Sequence, residues 1–283
     1  MAKPLRLAII GCGKRVSGMA RNLARLDRAC TVTAVADPRC DELRAAGDAL
    51  LKGAVFFKTA DEMLASETFD GVMIGTRCSL HTEMARKVAP TGIPLFLEKP
   101  VSTTFDQVKA LAAAAPTFTA PVVVSFPLRV SPIVTRVKKI VAAATLGTVE
   151  HVVAFNDVPY GEGYYAGWYR DYAEAGGLFL QKATHDFDYI SHILEQPPKW
   201  VCAMKSQRVF GRCADKPFEL YCKDCGEKGT CTESPFNPKG MLTPSGRKAW
   251  KNWRKCLYSA AIRNEDSGNA ILEYANGVQA SYT

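Results

Sequence analysis

The sequence predicts a doubly wound α/β domain with a parallel sheet, followed by an α+β domain whose sheet is mostly antiparallel. Three observations predict it. In the first half, short apolar runs alternate with stretches of helical apolar spacing. The first of those runs ends in a glycine-rich turn. From Ser131 onward the alternation gives way to isolated strands, one long helical segment and an Asn-Gly turn.

Residues 5–10 form an apolar run that stops at Gly11, and residues 16–26 carry apolar side chains at helical intervals, so the chain opens strand, turn, helix. The unit recurs with a strand at 32–36 and helix at 41–51, a strand at 55–57 and a helix opened by Thr59 and Asp61, and a strand at 71–74 and helix at 80–88. A strand at 94–97, a helix at 105–114 and a strand at 122–126 complete the series. Strands joined through helices pair in parallel and are covered on both faces. The first domain is expected to span residues 1–127 and the second 128–283. In the second, a helix at 133–146 ends at Gly147 and a strand follows at 149–155. A helical segment at 178–194 leads to a strand at 200–205. Strands at 270–274 and 278–282 flank Ala275-Asn276-Gly277, the sequence of a tight hairpin turn, so an antiparallel sheet with helices on one face is expected.

With 283 residues, 47% of them hydrophobic and 23% charged, the chain can bury a full-sized core. No apolar run reaches the roughly 18 residues that span a bilayer. Met1-Ala2-Lys3-Pro4 leads into a strand rather than the apolar core of a signal peptide. These features read as a soluble, cytoplasmic protein with no membrane partner. The net charge of +8 is spread along the chain, which fits a solvated surface and small anionic ligands better than a nucleic-acid patch.

The turn after the first strand reads Gly11-Cys12-Gly13-Lys14-Arg15-Val16-Ser17-Gly18. Its first two glycines let the backbone turn tightly and approach a pyrophosphate, which the N–H groups of the following helix then favour. Val16 stands where the third glycine of G-x-G-x-x-G belongs, and Gly18 follows two residues later. Asp37 closes the second strand at about the 20-residue distance expected of the carboxylate that holds an adenosine ribose. Together these residues predict a Rossmann domain. The carboxylate repels a 2′-phosphate and so favours NAD, while Lys14, Arg15 and Arg39 offset the repulsion and leave NADP open.

After the fifth strand comes Glu98-Lys99-Pro100, at the strand end where ligands bind in doubly wound sheets. With the glycine turn and Asp37, with Thr76 and His81 after the fourth strand, and with Gly176-Gly177-Leu178 before His185-Asp186-Phe187-Asp188, the chain resembles the glucose-fructose oxidoreductase/inositol dehydrogenase (Gfo/Idh/MocA) family along nearly its whole length. The resemblance implies an NAD(P)-dependent hydride transfer at a hydroxyl-bearing carbon of a sugar, cyclitol or related polyol. It implies that Gly11, Cys12, Gly13, Lys14, Arg15, Asp37, Thr76, His81, Glu98 and Lys99 hold the cofactor. Lys99 would also polarise or relay a proton at the reacting hydroxyl, its pKa lowered by a cationic ring. His185 is the second implied catalytic residue. The family usually places an aspartate four residues before it, one helical turn away; here that position is Gln181, which can hydrogen-bond but not act as a base. Lys182 is the candidate substitute. Tyr160, Tyr164, Tyr165, Trp168, Tyr169 and Arg170 form an aromatic run suited to a sugar ring or to packing over a sheet. The family usually continues with further strands after the hairpin, so a longer parent protein is expected, and its sheet face commonly mediates assembly, which implies a homo-oligomer. Two other functions stay open: an NAD-dependent glycoside hydrolase that oxidises its sugar transiently, and a nicotinamide-binding redox sensor without catalysis. No pair of catalytic carboxylates can be identified, which argues against an ordinary acid/base glycosidase.

Of ten cysteines, Cys12, Cys30, Cys40, Cys78 and Cys202 are scattered in apolar or helical stretches and read as reduced. The others crowd into a segment between Phe210 and Cys256 that looks like an insertion. Cys222-x-x-Cys225 with Cys231 is compatible with a structural zinc site, Cys213 or Cys256 being the fourth ligand; an iron–sulfur cluster or free thiols are the alternatives. The segment is expected to be a polar loop with no core of its own.

Overall fold

The computed structural model describes residues 4–26, 30–158 and 162–283. It comprises two compact units, Met1–Phe126 and Pro127–Thr283.

The first unit alternates strand and helix: β1 Leu5–Ile10, α1 Lys14–Leu23, β2 Cys30–Ala36, α2 Cys40–Ala45, β3 Val55–Phe57, α3 Ala60–Ser66, β4 Gly71–Ile74, α4 His81–Val88, β5 Leu95–Leu97, α5 Phe105–Ala114 and β6 Val122–Val124. All strand pairs are parallel, in the order β3-β2-β1-β4-β5-β6. The chain therefore reverses direction across the sheet between β1 and β4, and ligands bind at the strand ends beside such a switch point. Successive β1 side chains enter opposite cores: Ala8 and Ile10 pack with Ile74 and Leu97, while Leu7 and Ile9 pack with Val16 and Val35. Helix starts follow local chemistry. Thr59 accepts from the Glu62 N–H and Glu62 reaches back to Thr59, so α3 begins in a reciprocal cap. The helix expected over 41–51 is interrupted: Gly47 takes a left-handed φ of 61°, and the Asp48 side chain accepts from the Leu50 N–H to start a separate short turn.

The second unit contains α6 Pro132–Ala142, β7 His151–Ala154, α7 Glu162–Ala166, α8 Tyr172–Ala175, α9 Thr184–Leu194, β8 Pro198–Ser206, α10 Pro244–Trp250, β9 Ser267–Tyr274 and β10 Gln279–Tyr282. Its sheet runs β7-β10-β9-β8, antiparallel except for the β10–β7 pair. The hairpin forms as its sequence predicts, with Gly277 at φ 88° between β9 and β10. One sheet face buries Ala270, Leu272, Tyr274 and Ala280 against Ala183 and Ile190. The opposite face leaves Val153, Trp200, Met204 and Ile271 each more than 60% exposed. At the ends of the cysteine-bearing segment, Phe210 and Leu257 are almost fully buried with Tyr165 and Ile262, and Phe218 and Trp250 within it pack against that cluster. Tyr160 lies outside the described residues. Among the described residues, no helix is long and apolar enough to cross a membrane.

Candidate active site

At the carboxyl end of β1 the backbone turns at Gly11, where φ is 79° and a Cβ would stand 2.6–2.7 Å from the backbone and methyl of Thr76. Only glycine fits there. Gly13 follows as the cap of α1, with no side chain hydrogen-bonded to that terminus and no acidic residue in the first turn. Lys14 and Arg15 are exposed beside it. This arrangement suits an anionic pyrophosphate. The third glycine has changed sides. Val16 is fully buried, and the residue it faces on the next strand is Gly75, whose Cβ would lie 2.6 Å from that of Val16. The close helix–sheet approach is thus kept with the glycine on the sheet, whereas Gly18 has open space around it.

Asp37 is 3% exposed at the end of β2. Its Oδ2 accepts from the Cys12 N–H at 2.9 Å, which ties the end of β2 to the glycine turn. Arg39 donates to both oxygens, Nε to Oδ1 at 3.1 Å and Nη2 to Oδ2 at 3.0 Å. Burial opposes ionisation of Asp37, but the bonds from Arg39 and Cys12 outweigh it and hold the carboxyl below its usual range. The Cys12 thiol, by contrast, is pushed up to about 11 by burial and by the neighbouring carboxylate.

Glu98 and Lys99 emerge from β5. Glu98 is 5% exposed and accepts from Arg15 Nε at 3.1 Å, joining the first turn of α1 to the β5 end. Lys99 is half-buried before Pro100. His81, 1% exposed at the start of α4, donates through Nδ1 to the Pro100 carbonyl at 2.6 Å, so it positions the Lys99-Pro100 turn from behind. Ser125, which sequence reasoning missed, is buried at the end of β6 and accepts from Arg15. The predicted residues Gly11, Cys12, Gly13, Lys14, Arg15, Asp37, Thr76, Glu98 and Lys99 all lie at the carboxyl ends of β1, β2, β4 and β5 or in the turns that follow.

In the second unit, Gly176 and Gly177 both take positive φ, 76° and 85°. A Cβ on Gly177 would meet the Glu265 carboxylate at 2.6 Å. Glu265 in turn accepts from the Phe179 N–H at 2.7 Å, at the start of a π-helical turn over Phe179–Ala183 that precedes α9. That wide turn corrects the regular helix expected over 178–194. Gln181 is buried and donates to the Ala175 carbonyl at 3.4 Å, while Lys182 lines a cavity of about 410 Å³ with Asn156, Tyr164, Tyr165, Glu265 and Asp266. π turns inside helices occur often at functional sites. His185 is half-buried and does not line that cavity. The next aspartates are both engaged: Asp186 accepts from Tyr282 at 2.9 Å and from Asn156, and Asp188 pairs with Arg129. Glu265 and Asp266 carried no sequence signal, because they lie between the cysteine segment and β9. The aromatic run divides: Tyr164 and Tyr165 line the cavity, whereas Trp168 and Tyr169 stack on each other.

Cys213, Cys222, Cys225, Cys231 and Cys256 line a second cavity in the same unit, of about 230 Å³. Burial pushes the Cys222 thiol up to about 12. Among the described residues no three His, Cys, Asp or Glu side chains are set to hold a metal ion as they stand.

Comparison with known proteins agrees with this geometry. Residues 5–126 match the family profile described as oxidoreductase family, NAD-binding Rossmann fold, and residues 134–283 match the GFO/IDH/MocA C-terminal domain. The rhizopine catabolism protein MocA of Rhizobium meliloti is 27% identical over 194 residues, 68% of this chain and 58% of that protein. A scyllo-inositol 2-dehydrogenase (NAD(+)) of Bacillus subtilis is 25% identical over 256 residues, 87% of this chain and 68% of that protein. The chain thus spans less than two thirds of some relatives. The crystal structure of scyllo-inositol dehydrogenase from Lactobacillus casei, with bound NAD(H) and scyllo-inositol, shares the fold at a TM-score of 0.69 and 18% identity, covering 99% of this chain and 69% of that one. With both halves of the chain matched, and with the glycine turn, Asp37 and the β5 end arranged as that Rossmann fold requires, the chain belongs to the GFO/IDH/MocA oxidoreductase family.

Proposed function

We propose that this protein is a cytoplasmic NAD-dependent oxidoreductase that oxidises or reduces a hydroxyl-bearing carbon of a cyclitol, sugar or related polyol. The observation that carries this reading is the Gly11–Asp37 cradle. A backbone that admits no Cβ at Gly11 is linked through the Cys12 N–H to a buried, ionised carboxylate suited to accept from a ribose hydroxyl. Bound there, NAD supplies the hydride acceptor or donor. The first turn of α1, with Lys14 and Arg15, suits the pyrophosphate. Asp37 supports NAD over NADP, and Arg39, more than half exposed, is the residue able to turn toward a 2′-phosphate. Cyclitol dehydrogenases among the relatives support the substrate class.

The roles proposed for the chain's own residues follow from their settings. Lys99, half-buried at the β5 end, holds or moves the proton of the reacting hydroxyl, and Glu98 with His81 fixes the turn that carries it. In the second unit, Lys182, Tyr164 and Glu265 offer a cavity with cationic, aromatic and anionic walls suited to a polyhydroxylated ring. His185 orients or exchanges a proton with substrate. The open sheet face with Trp200, Met204 and Ile271 supports self-association into a homo-oligomer. Ten cysteines, none of them in a disulfide, support a reducing compartment.

The test is to incubate the protein with NAD or NADP and a panel of inositols, aldoses, polyols and glycosides, following nicotinamide absorbance and products by mass spectrometry. NADH formation with a free cyclitol or sugar, lost in Lys99→Met, is the expected result. Glycoside cleavage without net NADH would replace this reading with a redox-assisted hydrolase, and cofactor binding with no turnover across the panel would remove the catalytic claim.

A further inference from the structure

We propose that the segment between Phe210 and Cys256 is built around a thiolate-ligated metal centre, with Cys222, Cys225, Cys231 and Cys256 as ligands and Cys213 at the rim. The inference is independent of the oxidoreductase reading. It rests on delivery of five thiols from distant points in the sequence to one cavity of about 230 Å³. The backbone makes that delivery specific. Cys222 donates its N–H to the Arg254 carbonyl at 2.8 Å, and Cys256 donates to the Leu220 carbonyl at 2.8 Å, so a two-stranded bridge sets these cysteines side by side. A single 3₁₀ turn over Cys222–Asp224 then leads to Cys225, whose N–H donates to the Cys222 carbonyl at 3.3 Å and which lines the same cavity. Cys231 is fixed by its N–H to the Glu227 carbonyl at 2.9 Å, and its own carbonyl accepts from the Asn237 amide. A Cys-x-x-Cys turn that shares one cavity with two further thiols supplies the donor set of structural zinc and of iron–sulfur clusters, which the side chains would close around on binding.

A second observation concerns charge. Arg170 and Arg254 are both 1% exposed beside this cavity, and the buried Glu233 pairs with Arg254 at 2.5 Å. Arg170 donates through Nη2 to the Cys256 carbonyl at 2.8 Å, but its Nε and Nη1 have no hydrogen-bond partner. A buried guanidinium so placed is costly unless an anion faces it. Four thiolates outweigh the charge of a divalent metal or of a cluster core, so the occupied centre is anionic and supplies that counter-charge. On binding zinc or a preassembled cluster, each ligating thiol gives its proton to solvent and forms one metal–sulfur bond, with no change of oxidation state; assembly from ferric iron and sulfide draws the electrons it needs from the thiol reductant in the reconstitution mixture. The centre would brace the segment whose Phe210 stacks on Tyr165 at 4.1 Å, both residues lining the larger cavity.

The test is metal and sulfide analysis of the full chain, purified without chelator, once in air and once anaerobically, from cells supplied with zinc and iron. We expect about one zinc per chain, or about four irons with matching sulfide and thiolate-to-iron absorbance in the anaerobic preparation. Either occupant supports the site, and the analysis decides between them. Cys225→Ser and Cys256→Ser lose the metal, while Cys202→Ser, an exposed thiol outside the segment, keeps it. Should the ligand variants fail to fold, the unmodified chain still decides. Stripping the metal should expose about four additional reactive thiols and lower Tm by at least ~5 °C, both reversed on reconstitution with zinc or with iron and sulfide. Less than ~0.1 metal per chain in both preparations, with no Tm change on reconstitution, overturns the proposal.

Discussion

Asp37 receives the Cys12 N–H from inside the fold, and the role proposed for it adds a ribose hydroxyl from outside. Charge-assisted hydrogen bonds of this kind are worth about 1.5–3 kcal/mol. Replacing Asp37 by Ser should therefore raise the Kd for NAD by ~10–100-fold, and that for NADP by less, because the repulsion of a 2′-phosphate goes with the charge. Equal losses for both cofactors in a titration would remove Asp37 from the ribose site. His81 makes a pH prediction. Burial outweighs its bond to the Pro100 carbonyl and lowers its pKa below 6.5, so the folded ring stays neutral where the unfolded one takes a proton. Its contribution to stability is complete above pH 6.5 and is lost as the pH falls from there through the folded value. Urea midpoints measured from about pH 7.5 down to 5.5 should fall more steeply for the native chain than for His81→Asn. Parallel slopes would show that His81 does not titrate as its burial requires.

At the scale of elements, the packing of α1 on β4 is specific because Val16 and Gly75 have exchanged the usual order of large and small. Gly75→Ala drives a methyl to within 2.6 Å of the Val16 Cβ and should cost ~1–3 kcal/mol. Val16→Gly should also destabilise, through lost burial and helix propensity. The double variant restores G-x-G-x-x-G in the turn and should be more stable than the sum of the two losses by ~1 kcal/mol or more in a denaturation cycle. Strict additivity would refute the exchange. Strand identity was legible in the sequence, since residues 5–10 and 71–74 are short, apolar and followed by turn residues, and β9 and β10 were marked by Asn276-Gly277. Two elements were not legible. The break at Gly47 depends on a left-handed φ that a lone glycine does not announce, and the π turn over Phe179–Ala183 depends on Glu265, eighty-odd residues away, accepting from the Phe179 N–H.

For the whole molecule, the order β3-β2-β1-β4-β5-β6 follows from right-handed strand–helix–strand crossovers once the alternation is recognised. The site was legible where it depends on local backbone chemistry, as at Gly11 and Asp37, and illegible where distant segments meet, as at Glu265, Asp266 and the cavity they line. The cysteine segment has both sides: its spacing suggests the ligand set proposed above, but only the fold shows that Arg170 and, within the segment, Arg254 are buried. The open face of the second sheet, with Trp200 and Ile271 exposed, predicts a particle larger than one chain by light scattering, and a Trp200→Glu/Ile271→Glu variant that runs as a monomer. A native chain that already runs as a monomer would contradict it. The hydride transfer proposed for this family member, between a carbinol carbon and nicotinamide, is measured most directly with an isotope. The best substrate of the panel, deuterated at its carbinol carbons, is turned over with NAD in ordinary water, and the recovered NADH is analysed by mass spectrometry. NADH that carries the substrate's deuterium is the result this account predicts; unlabelled NADH, or consumption of substrate with no deuterium reaching the cofactor, would contradict it.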